Sequence, residues 1–490
     1  MATSTKAATG DSDDRLPLKK IPGTYGTPFF GAVKDRLDYF WFQGIDTFFK
    51  SRMDEYKSTV YRVNMPPGPP GFPDPRVIAL LDQKSFPVLF DTSLVEKKDV
   101  FTGTYRPSLS FTGGYRVLPY LDPSEERHTK LKTFCFNILK ENGPRLFSEF
   151  SNAIGESFIV WETALEEGGT ASFSTECAQF AFNFLFRGVV HRDPVAPGEA
   201  SLGTKGGEHA SLWTAPQLAP VASLGLPHAI EELTVHSFPL PFILVKSQYD
   251  PIFKFITTYA TDALGKAEAL GIDRNDAANN LLFFLSFNAF GGFNIFFPAV
   301  VREIGGVGPD LMRELASEVK DVLAATGENK ISLQSLGKMS LVTSVVYECF
   351  RINPPVPFQY GRAKKDFILE SHDASFEIKK GEMLFGYQPF VTNDPKVFAD
   401  PGTFNPKRFL GPEGEKLISS VFWSNGRETD SPTLQNKQCA GKDLVVTISR
   451  LFVAELFNRY ESFELAPKPA GPAGPTSQVT FTSLIKNAKT

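Results

Sequence analysis

The sequence predicts a mainly α-helical protein: a flexible N-terminus over residues 1–20, then one continuous domain over 21–490 with small peripheral β-sheets. Three observations predict it. Apolar residues recur at helical spacing through long segments after residue 122. Strand-like pieces are short and bounded by Pro and Gly. No Ser/Gly-rich or charged linker divides the chain, and no internal repeat is visible.

Taken in order, Pro22-Gly23 leads into a helix-like run around Asp35–Tyr56. Two strands follow, Thr59–Met65 and Val77–Asp82, split by the Pro66–Gly71 cluster, whose composition predicts a surface loop. Asp122-Pro123-Ser124-Glu125 is a helix start, and helical segments run from there to about Phe186. Residues 189–228 read as loop, with Gly and Pro scattered throughout. Helical periodicity returns over Asp250–Leu270, Asp310–Ala325 and Ser332–Ile352. Between them, residues 281–300 carry no charge and have the length of a membrane span, but Asn288, Asn294, Gly291-Gly292 and Pro298 favour a long helix buried in the protein. After Pro354-Pro355 come short strands at Phe367–Glu370, Phe376–Ile378 and Met383–Gly386. A last helix over about 442–459 precedes strands at Ser462–Leu465 and Gln478–Ser483.

Composition excludes several function classes. A net charge of −4 without a Lys/Arg block gives no basis for a nucleic-acid partner. The four cysteines show no CxxC pair, so neither a zinc site nor a disulfide scaffold is indicated. The first ten residues are rich in Ala, Ser and Thr, as transit peptides are, but Asp11, Asp13 and Asp14 follow at once. Phenylalanine is in excess, with 46 copies against 13 Tyr and 4 Trp, which suits an interior that holds an apolar ligand or a flat macrocycle.

Two constellations carry chemistry. Glu348 and Arg351 stand at i and i+3 on one helix, an ordinary ion-pair spacing. Cys439 stands at the mouth of the last helix, where the helix dipole favours a thiolate and hence metal ligation. In order along the chain, an ExxR helix, the Phe404-Asn405-Pro406-Lys407-Arg408-Phe409 segment and Cys439 resemble the cytochrome P-450 signature. Further blocks narrow the likeness: Ile21-Pro22-Gly23, Asn64-Met65-Pro66-Pro67-Gly68, Tyr120-Leu121-Asp122-Pro123-Ser124-Glu125, Phe287-Asn288-Ala289-Phe290-Gly291-Gly292, Pro354-Pro355-Val356-Pro357, and an extended loop in which Trp423-Ser424-Asn425-Gly426-Arg427 is separated from Cys439 by the extra residues 428–436. The chain resembles the plant branch of that superfamily that metabolises fatty acid hydroperoxides: allene oxide synthases, hydroperoxide lyases and divinyl ether synthases.

The resemblance implies a cytochrome P-450 fold and a haem b cofactor, its iron on the thiolate of Cys439. It implies a triad of Glu348, Arg351 and Arg408 behind the haem. Lys437, two before the cysteine, and the His128/Lys132 pair would hold haem propionates, and Gly441 would let the macrocycle approach. The central helix has Gly291-Gly292-Phe293-Asn294-Ile295 where a monooxygenase needs an acid–alcohol pair, so proton-assisted O2 activation looks disabled. The implied substrate is a C18 polyunsaturated fatty acid hydroperoxide, rearranged with neither O2 nor a reductase in oxylipin biosynthesis. Homolysis of its O–O bond gives an alkoxyl radical that closes to an epoxide with a neighbouring carbon radical, whose fate decides the product. Asn288 matches the amide that hydrogen-bonds the hydroperoxide. Phe101, whose ring face can stabilise an electron-poor carbon, sides with the allene oxide synthases together with residues 112–117. The 287–293 and 236–241 segments look more lyase-like, and Asn294 resembles divinyl ether synthases, so lyase and ether-forming alternatives stay open, as does a non-catalytic haem protein of lipid particles. A plastid location and peripheral membrane association through a Phe-rich surface complete the expectations.

Overall fold

In a computed structural model, described over residues 16–103, 105–467 and 478–488, the chain is mainly helical. Its frame is four helices packed around the central one. The longest, Glu126–Gly168, runs through 43 residues and absorbs Pro144. Phe173–Val190 packs along it, capped by the Ser172 hydroxyl, which accepts from the Thr175 N–H. Helices Ser340–Ile352 and Lys442–Arg459 lie against each other, and the latter also packs on the longest helix.

The central helix spans Arg274–Val307 and is long and apolar enough to cross a membrane, yet 61% of its apolar window is buried within the protein. Its start is fixed by the Asp273 carboxylate, which accepts from the N–H groups of Asn275 and Asp276. Over Phe283–Phe290 the helix widens to π geometry. One stripe, containing Phe284, Phe287, Asn288, Gly291, Gly292 and Ile295, is less covered than the opposite side, where Phe283, Ser286, Phe290, Phe293 and Phe297 are buried. The expected buried helix is therefore covered all round over residues 276–283 and 296–301 and open on one side between them.

The β part is peripheral, as the short strands imply. Five strands form the largest sheet, in which Arg76–Leu80 lies between Val60–Asn64 (antiparallel) and Met383–Tyr387 (parallel). Strand Phe358–Ala363, which pairs with Met383–Tyr387, is absent from the sequence expectation because Arg362 falls on the face of Phe358 and Tyr360 and ends the apolar alternation after three residues. Leu18–Lys19 pairs with Ser375–Phe376, so strand structure begins inside the segment expected to be flexible; residues 1–15 of that segment lie outside the described residues.

Two other expectations are corrected. The loop expected over 189–228 contains helix Gly206–Leu218, which starts on a Gly pair and includes Pro216, and so carries no helical signature in sequence. Its Gly206, Ala210, Trp213 and Gln217 are all buried, and tertiary packing overrides weak propensity there. The Pro66–Gly71 cluster is not a simple surface loop: Pro66, Pro67 and Gly68 are buried, Arg36 donates to the Pro69 carbonyl, and the Gly71 N–H donates to that of Ser237.

Candidate active site

Cys439 precedes helix Lys442–Arg459 by three residues, with Gly441 at the helix N-cap. Its N–H donates to the Ser424 carbonyl at 3.2 Å, and its own carbonyl accepts from the Lys442 N–H at 3.2 Å. Burial pushes the thiol up, opposed by the Gly441 N–H and the cations Lys132 and Lys442. Cys177 and Cys349, fully buried with no cation among the causes of their shifts, are pushed far higher, and Cys135 to about 12. Of the four cysteines, Cys439 has the surroundings that best support a thiolate, and a bound metal cation would complete that shift.

Glu348, Arg351 and Arg408 form one buried ion cluster. Arg351 clamps Glu348 with Nε and Nη2, both at 2.7 Å, and Arg408 Nε bridges both carboxylate oxygens at 3.0 Å. The remaining guanidinium donors go to the carbonyls of Thr392, Ala399, Asp400, Pro401 and Thr403 and to Asn393. One carboxylate is thus shared by two guanidiniums, and the excess positive charge is met by neutral carbonyl and amide oxygens, hydrogen bonding that a buried ion cluster needs. The cluster ties the helix bearing Glu348 to the 392–408 segment.

A second, cationic cluster lies on the other side of the cysteine loop. Lys132 Nζ donates to the carbonyl and side-chain oxygens of Asn436. Lys437 Nζ donates to the carbonyls of Leu118, Pro119 and Leu121 at 3.0, 3.1 and 2.8 Å, so it reaches a carboxylate only by releasing one of them. Burial, then Lys132, lowers Lys437 to about 7; burial, then Lys437, lowers the neighbouring Lys97 to about 7; and burial lowers Lys132 to about 8. His128 falls to about 3 through burial and the fields of Lys437 and Lys132, and its buried Nδ1 has no partner. Four basic groups press on one another here with too little anion between them, which fits a partner carrying carboxylates. Lys97 escaped sequence reasoning because Glu96-Lys97-Lys98-Asp99 looks like a solvated charge run.

The open stripe of the central helix meets this region through Phe284, 6.4 Å from Phe134 on the helix of His128 and Lys132. Farther along, Phe296 stacks on Phe350 at 3.9 Å, and Phe350 lies 4.7 Å from Trp423, the neighbour of Ser424. Asn288 is exposed on this stripe, and a Cβ at Gly292 or Gly441 would enter open space. Gly441 is therefore not demanded by the chain's own atoms; its lack of a side chain matters to whatever fills that space. Phe101 meets Phe287, next to Asn288, edge-on at 5.8 Å, and Tyr120 at 5.9 Å. Asp99, two residues before it, is held by Arg116, which also clamps Glu125. Gly113 brings the 112–117 block against Asn279 of the central helix: a Cβ there would lie 2.6 Å from the amide nitrogen, and its φ of +60° suits glycine.

Among the described residues no three His, Cys, Asp or Glu side chains are grouped to hold a metal ion. The orphaned His128 nitrogen, the excess of buried base, the Cys439 thiol and the open glycine faces fit an iron porphyrin with propionates.

Comparisons with known proteins agree with this geometry. The cytochrome P450 family model matches residues 308–473, the part that holds the ion cluster and Cys439. An allene oxide synthase from Linum usitatissimum is 50% identical over 472 residues, covering 96% of this chain and 87% of the relative. One from Parthenium argentatum is 51% identical over 471 residues, covering 96% and 98%. A divinyl ether synthase from Selaginella moellendorffii is 46% identical, covering 94% and 95%. A cytochrome P450 crystal structure superposes with a TM-score of 0.64 at 13% identity, covering 96% of this chain and all of the other, which shows the fold. The chain belongs to the cytochrome P450 family, in the branch that contains the allene oxide synthases and divinyl ether synthases.

Proposed function

We propose that this chain is an allene oxide synthase, a haem-thiolate enzyme that dehydrates C18 polyunsaturated fatty acid hydroperoxides to allene oxides without O2 or a reductase. The observation that carries this reading is its identity of about half, over nearly its whole length, with allene oxide synthases of several plants. The site residues are consistent with it. The open stripe offers the carboxamide of Asn288, with half-buried Asn294 at its edge, and no acid–alcohol pair for splitting O2.

When bound, haem iron on Cys439 supplies the one-electron chemistry that cleaves the hydroperoxide O–O bond. Cys439 would hold the iron, and His128, Lys132 and Lys97 would hold the propionates, since Lys437 is engaged by carbonyls. Asn288 orients the hydroperoxide by hydrogen bonding, and the Phe101–Phe287 pair lines the space where the substrate carbon chain turns reactive. Phe284 and Ile295 on the same stripe keep water away.

The buried Glu348–Arg351–Arg408 cluster acts as a frame. The named relatives include chloroplastic enzymes, which supports a plastid location. Peripheral attachment to a bilayer is supported by an apolar face around Phe30, Phe42, Ile230 and Leu233, all more than half exposed, on two stretches joined by the Arg36–Glu232 and Trp41–His228 contacts.

Incubation of the purified holoenzyme with 13-hydroperoxy-linolenic acid tests the reading. Ketols and cyclopentenones are expected, as hydrolysis and cyclisation products of an allene oxide. Short aldehydes would replace it with a lyase, ether fatty acids with a divinyl ether synthase, and no turnover with a haem-binding lipid-particle protein.

A further inference from the structure

The residues inserted before Cys439 have to be accommodated without displacing its sulfur, and their first member, Glu428, turns inward rather than out. Trp423 and Gly426 close a two-strand hairpin, after which the Glu428 N–H donates to the Val421 carbonyl at 2.8 Å. The side chain, 8% exposed, accepts from the Tyr347 hydroxyl at 3.0 Å through one oxygen and from the Trp423 indole N–H through the other. Lys442, equally buried, donates through Nζ to the Glu428 carbonyl at 2.7 Å and stands 3.6 Å from the carboxylate. A second carboxylate, Asp443, lies 2.9 Å from the same ammonium but is exposed to water.

These partners bracket the cysteine. Trp423 precedes Ser424, whose carbonyl takes the Cys439 N–H, while Lys442 donates its own N–H to the Cys439 carbonyl. Tyr347 adjoins Glu348 of the ion cluster on helix Ser340–Ile352. One buried carboxylate thus grips the chain before Cys439, the chain after it, and the helix beneath both. At the far end of the insertion, the Asn436 side-chain oxygen accepts from the N–H groups of Thr433 and Gln438 and from Lys132, so both ends of the added segment are tied.

We propose that Glu428 is a positioning residue for the cysteine loop, fixing Ser424 and Lys442 so that the Cys439 sulfur stands where haem iron needs it. This rests on Cys439 being the haem ligand. Partners that orient a metal ligand without touching the metal commonly control affinity or activity about 10- to 100-fold. Replacing the carboxylate by an amide would leave one oxygen for the Trp423 indole N–H, turn the Tyr347 hydroxyl from donor to acceptor, and remove the charge that faces a buried ammonium.

The test uses the holoenzyme and reads the Soret band of its ferrous carbonyl complex, whose position separates thiolate from thiol ligation. Glu428→Gln keeps the shape and removes the charge; Tyr347→Phe removes one donor and keeps the ring. In Glu428→Gln, part of the population is expected to move from the thiolate to the thiol band, with kcat about 10-fold lower and KM unchanged. Tyr347→Phe should move in the same direction by less. Combining Glu428→Gln with Lys442→Met should cost no more than the worse single change, because both act through one clamp. A wild-type band and kcat in both single variants, or additive losses in the double variant, would overturn the proposal. Should Glu428→Gln fail to fold, Tyr347→Phe decides alone. A wild-type protein without the thiolate band would instead remove the ligand reading on which the clamp depends.

Discussion

Phe101 and Leu differ less in volume than in electronics, so Phe101→Leu separates packing from product choice. Phe101 is half-buried, with edge contacts to Tyr105, Tyr120 and Phe287, and a leucine fits such a site at a cost below about 1.5 kcal/mol. Loss of the ring face should shift product away from allene oxide toward aldehyde or ether with the haem spectrum intact. An unchanged product ratio in a fully loaded variant would reduce Phe101 to one more core phenylalanine. At this scale the sequence was legible where residues stand in a fixed order along the chain, as with Glu348, Arg351 and Arg408, which meet in one buried cluster. It was illegible where surroundings depend on desolvation: Lys97 and Glu428 sit in polar runs that look solvated until the fold buries them. Lys437 carries the opposite lesson, since the structure commits all three of its donors to backbone carbonyls.

Between elements, the outermost tie joins the last strands to the longest helix. Glu162 accepts from Arg459 Nε at 2.7 Å, Arg459 Nη2 at 2.8 Å and the Tyr460 hydroxyl at 2.8 Å, with Lys486 at 2.8 Å. Burial raises the Glu162 carboxyl, but these donors outweigh it and hold the group at about 2, against its ordinary 4.5. A carboxyl lowered in the folded state stabilises above its unfolded value, and that contribution disappears as pH falls through the folded one. Glu162→Gln should therefore unfold more easily than wild type near pH 7, by about 1–2 kcal/mol because both cations are partly exposed. The difference should shrink from pH 4.5 towards pH 2; thermal unfolding of both proteins across that range checks it, and a pH-independent difference would refute it. The elements themselves were readable where periodicity and boundary agree, as in Pro309–Thr326 or Phe367–Glu370. They were unreadable where the buried face carries Gly, Pro and Gln in place of an apolar stripe, as in Gly206–Leu218, or where hydrogen bonding changes within one helix, as over Phe283–Phe290.

For the whole molecule, the apolar face has to be explained as one surface, since it is built from two distant stretches of chain. Arg36 Nε pairs with Glu232 at 2.6 Å, Trp41 stacks on His228 at 4.1 Å and Phe40 on His236 at 3.8 Å. These contacts place Phe30 and Phe42, 71% and 74% exposed, beside Leu233, which is 72% exposed. Such a face costs solubility unless something apolar covers it, and a bilayer is also where a fatty acid hydroperoxide partitions. The locking contacts are one ion pair and two ring stacks in which Phe42 and Leu233 have no part, so the two roles can be separated by mutation. Phe42→Ser combined with Leu233→Ser removes two exposed side chains at little cost to the fold. If each contributes about 1 kcal/mol on partial insertion, flotation with neutral phosphatidylcholine vesicles should weaken roughly 30-fold. Turnover of substrate dispersed in detergent should stay at the wild-type level, because neither residue approaches Asn288, Phe101 or Cys439. Equal flotation of variant and wild type would assign membrane attachment to another surface, and equal loss of turnover would show that this face also shapes the active site.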